Sequence, residues 1–228
     1  QNIKITGIDN KSIVEDLLKI TKKIEKYPYL ENNIIDQKNT LINIIRNSGF
    51  YFAEIETIVE DNNNNSVNII HNFELGERAK ISEIKFIGNK IFKNNKLRNI
   101  IVSEVSKPWK FITPNKYLNE SRINLDVNLL ENYFRNKGYY KVAVKSSSAK
   151  VIEKNNFVLT FNIESGKKYY FNDINLDVSD DYKKENFINF IKIFDDLKGR
   201  PYSLNSIKKI INEIDKAALQ KEFVFINA

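Results

Sequence analysis

The side chains that most often carry catalysis are scarce in this chain. His71 is the only histidine, and none of the 228 residues is a cysteine. A thiol nucleophile, a disulfide, a zinc–thiolate site or a two-histidine metal site therefore cannot form. The carboxylate pairs Asp180–Asp181 and Asp195–Asp196 lack an apolar pocket pattern around them, and we expect them at helix starts and in loops. With no phosphate-binding or dinucleotide-binding motif either, the sequence predicts no catalytic, cofactor-binding or metal-binding residue.

The single histidine and the single tryptophan have different expected roles. His71 occupies the repeat position of Phe161 on an alternating apolar face, which predicts a structural role in a core. Trp109 follows Lys107–Pro108 and lies in a predicted loop between two helices. It either covers the end of its own small core or offers an aromatic contact to a partner or a neighbouring module, and the sequence leaves both open.

The elements that must position these residues are repeated along the chain. The segment 47–51, NSGFY, recurs 89 positions later as NKGYY, and 74–77, ELGE, recurs 90 positions later as ESGK. Four of the seven glycines fall in these matched pairs. A fixed long period indicates tandem modules. It favours an extended binding array over a single catalytic cleft.

Composition agrees with small globular modules. Hydrophobic residues make up 42% and aromatic residues 12% of the chain, which is typical of folded domains. The net charge of +7 comes from 36 basic and 29 acidic residues that are interleaved. We expect mostly solvated surface, with attraction to anionic lipid or an acidic partner as the functional alternative. No apolar run is long enough to span a bilayer. Since methionine is absent even at position 1 and no signal peptide is present, we expect a mature or excised piece.

Each module is predicted to open with a strand of period two followed by two amphipathic helices. The alternating apolar residues of the three strands are Ile3 and Ile5, Ile84 and Phe86, and Ile174, Leu176 and Val178. The first helices carry Ile13, Leu17, Ile20 and Ile24, then Leu97, Ile100 and Ile101, then Phe187, Ile191 and Phe194. The second helices carry Leu41, Ile44 and Ile45, then Val127, Leu130 and Phe134, then Ile207, Ile210, Ile211 and Ile214. Ser12 and Glu15 have the spacing of a capping box at the first helix start.

A β-hairpin completes the first two modules. Gly49 and Gly138 follow the last apolar turn of the second helix, which predicts a helix C-cap with positive φ. The hairpin turns are predicted at 61–65 and at 153–156. The return strands carry Val67, Ile69, His71 and Phe73 in one module, and Phe157, Leu159, Phe161 and Ile163 in the other. In the third module only Phe223–Ile226 follow the second helix, after Glu222 where the other copies have glycine.

The sequence therefore predicts an α+β fold built from β-α-α-β-β repeats, each a three-stranded mixed sheet packed against two helices. The predicted domains span residues 1–78, 79–166 and 167–228, and the last lacks its final strand.

A repeat of this length and order resembles the POTRA domain. The middle module carries the most specific match, because ISEIKFIGN at 81–89 is similar to the family's opening strand and places Gly88 before an asparagine. Pro108–Trp109, Tyr117 and the spaced series Arg122, Asp126, Leu130, Tyr133–Phe134 and Gly138–Tyr139 complete the resemblance. It extends over the whole chain as second, third and truncated fourth POTRA domains of a protein that assembles outer-membrane β-barrels. Gly199–Ser203 is similar to the family's lead into the second helix.

This resemblance implies a function and a location. Such domains lie on the periplasmic side of the bacterial outer membrane and precede a C-terminal β-barrel, which here would follow Ala228. They act as scaffolds and chaperone-like modules, and their partners are accessory lipoproteins of the barrel assembly machine and unfolded outer-membrane protein precursors. We expect no enzymatic activity, no cofactor and no nucleic-acid partner.

The resemblance also implies that the first strand of each terminal hairpin is a sheet edge. An exposed edge offers unpaired backbone N–H and C=O groups on which an added strand can pair. In the middle module we expect this partner-binding edge to comprise Lys141, Val142, Ala143, Val144, Lys145, Ser146, Ser147, Ser148, Ala149, Lys150 and Val151. Proline at Ala143 or Ser147, whichever N–H points outward, should reduce binding with little loss of fold. The alternative is an edge that its lysines protect from pairing.

Two other functions stay open on the sequence. POTRA domains also occur in two-partner secretion and translocation transporters, and the number of such domains in the full-length protein would distinguish these. A basic α/β module that binds RNA is a more distant alternative. It lacks the Gly-x-x-Gly loop and the aromatic strand motif of the common RNA-binding folds, and salt-sensitive binding of single-stranded RNA would favour it.

Overall fold

A computed structural model of the chain describes residues 2–23, 28–62, 65–109, 113–151, 155–177 and 188–220, with the backbone alone at 148–151 and 217–220. These residues form two compact units. One comprises 1–85, 102–125 and 147–160, and the other comprises 86–101, 126–146 and 161–228. The predicted domain boundaries at 78/79 and 166/167 stay a prediction.

The first sheet confirms the alternation of its strands. It contains β1 (Asn2–Thr6), β2 (Glu54–Asn62) and β3 (Ser66–Glu74) in the order β1–β3–β2. β1 runs parallel to β3, and β2 pairs antiparallel with β3 along its whole length. Ile3, Ile55, Ile69 and Phe73 are buried, so one face of this sheet forms a core as the period-two pattern requires.

Two helices cover that face. They are α1 (Lys11–Thr21) and α2 (Glu31–Asn47), and Leu17, Leu41 and Ile45 pack in one cluster with Ile55 and Phe73. The expected capping box at Ser12 is wrong. Asn10 is the N-cap, and its side-chain oxygen accepts from the backbone N–H groups of Ser12 and Ile13. An asparagine just before the helix satisfies the same unpaired donors that a serine would.

The second sheet repeats the strand order. It contains β4 (Lys80–Ile87), β5 (Ala143–Val151) and β6 (Asn156–Glu164) in the order β4–β6–β5. The buried side chains that alternate as predicted are Ile84 and Phe86 of β4 and Phe157, Leu159, Phe161 and Ile163 of β6. Ile81 of β4 is also buried, in the opposite phase to Ile84. A mixed α+β fold with two three-stranded sheets is therefore confirmed.

The helices associated with the second sheet differ from each other in length. α4 (Glu120–Arg135) is long and buries Leu130 and Phe134. The first helix, α3 (Asn94–Arg98), has only five residues, although Leu97 is buried as predicted. The β-branched run after it, Ile100–Val102, has low helix propensity, and this explains why the helix ends before Ile100.

The opening strand predicted for the third module is not formed. Residues 171–177 have no strand assignment, and the pairing there is a single bridge between Tyr170 and Pro201. In both sheets the opening strand is hydrogen-bonded to a return strand. Among the described residues near 171–177 there is no return strand with which an opening strand could pair. Ile174 and Leu176 nevertheless pack against Phe190 and Phe194, so the apolar phase is correct although the hydrogen-bonded strand is absent.

The third module contains α5 (Ile188–Leu197) and α6 (Leu204–Gln220). Phe194 is buried as expected, but Phe190 rather than Ile191 is its buried neighbour, and Ile191 is exposed. Asp195 and Asp196 lie in the last turn of α5 and not at a helix start. Residues 24, 178–187 and 221–228, which include several apolar positions of the predicted pattern, lie outside the described residues.

Candidate partner-binding edge

The predicted binding edge is an edge strand of the second sheet. β5 occupies the end of the order β4–β6–β5, and it begins at Ala143, so Lys141 and Val142 precede the strand. Val142 and Val144 are buried, whereas Lys145, Ser146 and Ser147 are exposed. The start of the edge is therefore anchored by apolar side chains, and its exposed part begins at Lys145.

A side chain from α4 already occupies the first outward-facing donor of this edge. The backbone N–H of Val144 donates to Glu131 Oε1 at 3.2 Å, and Glu131 also accepts from Arg135 Nη2 at 2.9 Å. Because this N–H bonds to a helix side chain, it points away from β6. This bond limits an incoming strand to the part of the edge beyond Val144.

The same bond fixes which residues face outward. Successive N–H groups of a strand alternate between its two sides, so the next outward N–H after Val144 belongs to Ser146. Ala143 and Ser147 lie in the opposite phase, toward β6. The expectation that proline at Ala143 or Ser147 would test the edge is therefore wrong, and Ser146 is the correct position.

The first sheet has a matching edge that the sequence prediction did not single out. β2 is last in the order β1–β3–β2. Its sequence, EIETIVEDN, contains four carboxylates and no basic residue. Ile58 and Val59 in its middle are exposed at 42% and 40%. The repeat could have revealed this edge, since β2 precedes a return strand just as β5 does.

His71 lies in a buried polar network and not at a surface site. Its side chain is 0% exposed. His71 Nε2 lies 3.0 Å from Gln37 Oε1, and Nδ1 lies 2.9 Å from Thr57 Oγ1. A carbonyl oxygen only accepts, so Nε2 donates to Gln37 and Nδ1 accepts from the Thr57 hydroxyl. Burial, with a smaller contribution from Lys38, lowers the pKa of His71 to about 4. The predicted core position of this histidine is confirmed.

Trp109 is on the surface. It is 72% exposed, and Lys107 Nζ lies 5.6 Å from the centre of its ring. This exposure does not fit a side chain that covers its own core. An aromatic contact with a partner or another module stays a prediction for Trp109.

The three glycines predicted as structural have positive φ angles. These are +99° at Gly49, +101° at Gly138 and +73° at Gly88. A Cβ at Gly88 would lie 2.6 Å from the carbonyl oxygen of Ile163, so the turn after β4 has no room for a side chain. Gly49 and Gly138 have a second role that the sequence did not predict, in the junctions between modules.

The junction between the first two modules is built from backbone bonds. The Ala79 N–H donates to the Gly49 carbonyl at 3.1 Å, and the Leu118 N–H donates to the Ala79 carbonyl at 2.8 Å. The Arg78 guanidinium lies 5.0 Å from the ring centres of both Phe50 and Tyr117. The Arg78 cation, which lies between two aromatic faces, adds a side-chain interaction to these backbone hydrogen bonds.

The next junction repeats that arrangement. The Tyr169 N–H donates to the Gly138 carbonyl at 2.8 Å, and the Tyr202 N–H donates to the Tyr169 carbonyl at 2.9 Å. The asparagine two residues before each glycine takes part as well. Asn119 Nδ2 donates to the Asn47 carbonyl, and the Asn205 N–H donates to Asn136 Oδ1 at 2.7 Å. The Asn-x-Gly motif therefore takes part in the contacts at both predicted domain boundaries.

Replacing Gly138 by alanine is expected to lower the free energy of unfolding by at least about 1 kcal/mol. The added Cβ would lie 2.8 Å from Lys168 Cγ and 3.2 Å from the Tyr169 carbonyl oxygen. Gly166→Ala is the matched control, since Gly166 also has a positive φ but its Cβ would meet only Lys141, at 4.0 Å. Denaturant titration followed by circular dichroism compares the two variants. Equal costs for both would contradict a junction role for Gly138.

The two three-stranded sheets with the same strand order are the architecture expected from the resemblance to POTRA domains. Residues 79–166 match the POTRA family, described as "surface antigen variable number repeat". The resemblance noted from the sequence is thereby confirmed for residues 79–166.

The relatives found by sequence are outer membrane protein assembly factors. The chain is 24% identical over 170 residues to BamA of Buchnera aphidicola subsp. Acyrthosiphon pisum (strain APS), which covers 72% of this chain and 26% of that protein. It is 21% identical over 114 residues to BamA of Neisseria meningitidis serogroup B, covering 50% of this chain and 14% of that protein. The chain thus spans about a quarter or less of the curated relatives it matches.

Solved structures support the fold. The chain resembles the crystal structure of Haemophilus influenzae BamA POTRA3-5 with a TM-score of 0.59 and 14% identity, covering 95% of this chain and 84% of that one. BamA from Haemophilus ducreyi lacking POTRA domains 1-3 gives a TM-score of 0.53 at 18% identity, covering 75% of this chain and 30% of that one. At these identities the likeness concerns the fold, so the assignment of the modules as second to fourth stays a prediction.

Two kinds of feature are absent from the described residues. None of the helices within them is both long and apolar enough to cross a membrane. The same residues contain no cluster of three or more histidine, aspartate or glutamate side chains placed to hold a metal ion.

Proposed function

We propose that this chain is a periplasmic scaffold and chaperone-like segment of an outer-membrane protein assembly factor. It binds accessory lipoproteins and unfolded β-barrel precursors by strand addition at β5, and it has no enzymatic activity of its own. The observation that carries the proposal is the edge position of β5 beside exposed Lys145, Ser146 and Ser147. The family match and the two BamA relatives support the assembly role.

Backbone recognition suits this task. An added strand gains affinity from main-chain hydrogen bonds, while side chains along the edge adjust it. A surface of this kind accepts many sequences, and an assembly factor has to handle precursors that differ in sequence. The run Ser146–Ser148 at the middle of β5 has small side chains, which leave the backbone accessible to an incoming segment.

The same proposal extends to the rest of the full-length protein. A C-terminal β-barrel in the outer membrane would anchor the chain and keep β5 on the periplasmic side. The secretion-transporter alternative requires the same fold with a different number of POTRA domains, and the full-length sequence distinguishes the two.

Replacing Ser146 by proline is expected to reduce strand addition at β5 strongly while the protein stays folded. Proline removes the outward N–H but leaves the hydrogen bonds to β6 intact, and edge strands tolerate it at such positions. The measurement is an NMR titration of the full chain with a synthetic peptide of roughly ten alternating apolar and polar residues, the length of a barrel strand. Amide shifts at 143–151 report binding.

Two matched variants control this experiment. Ser146→Ala keeps the N–H and should bind like the parent protein, because the side chain is not the recognition group. Ser147→Pro removes an N–H that faces β6 and should destabilise the hairpin. If shifts cluster on the helices, or if Ser146→Pro binds as well as the parent, strand addition at β5 is the wrong mechanism.

A further inference from the structure

The edge strand of the first sheet lacks the structural features that usually prevent pairing. β2 pairs with β3 without interruption from Glu54 opposite Glu74 to Asn62 opposite Ser66. It contains no proline and no bulge over nine residues. Edges are normally protected by shortness, bulges, proline or charge. Charge is the protection that β2 retains, and all of it is negative.

The two faces of β2 present different chemistry. Ile55 packs in the core cluster with α2, and Thr57 contacts His71, so odd-numbered residues face the helices. Val59 continues this face and is 40% exposed. Glu54, Glu56, Ile58 and Glu60 occupy the opposite face, and all four are exposed. An incoming strand therefore meets exposed Val59 and Asp61 on one face, and on the other a row of three carboxylates that also contains Ile58.

These faces specify the side chains of a complementary strand. Directly opposed pairs across a sheet are favourable when their charges are opposite and unfavourable when they are alike. A segment beside β2 gains from basic residues next to Glu54, Glu56 and Glu60. Its alternate residues gain from being apolar, because they lie beside Val59. The complementary partner is an extended segment in which lysine or arginine alternates with apolar residues.

The edge of the second sheet has the opposite charge. The sequence of β5, AVKSSSAKV, carries two lysines and no carboxylate. Lys145 is exposed at the start of the accessible part of β5. A basic segment that fits β2 is therefore repelled along β5, and an acidic one is repelled along β2.

We propose that β2 is a second strand-addition site, selective for basic amphipathic segments, and that β2 and β5 divide extended partners by charge. This inference rests on the proposed function, since both edges use strand addition. It assigns to each edge the chemical class of segment that it accepts.

The test compares two peptides that share their apolar positions and carry lysine or glutamate at the alternate positions. Each is titrated into the full chain with residue-resolved amide NMR at low salt. The lysine peptide is expected to shift the amides of 54–62, and the glutamate peptide is not. The triple variant Glu54→Gln/Glu56→Gln/Glu60→Gln should bind the lysine peptide about tenfold more weakly, since three opposite-charge pairs are lost.

Two controls separate pairing from simple charge attraction. Asp177→Asn/Asp195→Asn/Asp196→Asn removes the same number of exposed carboxylates from the third module and should leave the affinity unchanged. A lysine peptide with proline at its alternate apolar positions keeps the charge but cannot pair as a strand, and it should not shift 54–62.

The outcomes are distinct. Equal shifts of 54–62 by both peptides would overturn charge selection while leaving strand addition intact. Equal binding of the proline peptide, or equal weakening by the third-module variant, would show surface attraction only and overturn the inference. If neither peptide shifts the amide signals of β2 or β5, both this inference and the proposed function are wrong.

Discussion

Phe161→Ala is expected to lower the free energy of unfolding of the middle module by about 3–5 kcal/mol. Phe161 is fully buried on β6, and its ring stacks on Phe86 with centroids 5.7 Å apart. Truncation removes the burial of the ring and leaves a cavity beneath the sheet. Because small domains have total stabilities of roughly 5–15 kcal/mol, the loss is a large part of what holds this module together.

The measurement is a denaturant titration followed by circular dichroism and by amide NMR. Trp109→Ala is the control, as it truncates an aromatic residue of the same module that is mostly exposed. It should change stability by no more than about 0.5 kcal/mol. The signals of His71 report the first module separately, and they should persist in Phe161→Ala because the predicted modules have their own cores. A variant that melts like the parent would mean that β6 is assigned in the wrong phase.

Acidification from about pH 6.5 to about pH 4 is expected to destabilise the first module by about 3 kcal/mol through His71 alone. The pKa of this histidine is lowered from 6.5 to about 4 in the folded protein, mainly by burial. The unfolded chain therefore binds a proton in this interval and the folded chain does not. The contribution of neutral His71 to the free energy of unfolding is fully present above pH 6.5. It decreases as the pH falls and levels off below pH 4.

Since His71 is the only histidine, its ring protons give a single titration curve by NMR. His71→Phe, which places in the first module the residue that the second has at this register, is the control for stability. Its unfolding free energy should depend less on pH between 6.5 and 4, whatever its absolute stability. Identical pH slopes for the variant and the parent, or a histidine titrating near pH 6.5, would contradict the buried network with Gln37 and Thr57.

Local pattern predicted much of the fold. Alternation placed Ile84 and Phe86 on the buried face of β4, and the two Asn-x-Gly motifs located turns with positive φ after the second helices. These features depend on residues close together in sequence, so their periodicity and turn chemistry are sufficient to find them. The prediction of a third opening strand was wrong because a strand needs a pairing partner far along the chain. The short α3 was missed because the apolar spacing of Ile100 and Ile101 outweighed the low helix propensity of the β-branched run.

The candidate site was predicted in outline only. Alternation located β5, but it could not show that Glu131 occupies the Val144 N–H, a bond between residues thirteen positions apart. That contact decides which residues of the edge face outward, and so it changes the proline test from Ser147 to Ser146. The acidic composition of β2 is evident from the sequence, yet its importance appears only when the strand orders show that β2 and β5 are edge strands of opposite charge in their separate sheets.

The two junctions bear on how such a chain can change over evolutionary time. Each uses the carbonyl of a glycine that follows the second helix of one predicted domain and the N–H of a residue near the start of the next, Ala79 in one case and Tyr169 in the other. The middle predicted domain carries both halves of the joint, the donating Ala79 N–H at its start and the accepting Gly138 carbonyl after its second helix. A duplicated or deleted copy would therefore arrive with compatible connectors, and substitutions that keep the Asn-x-Gly motif would leave the joint unchanged.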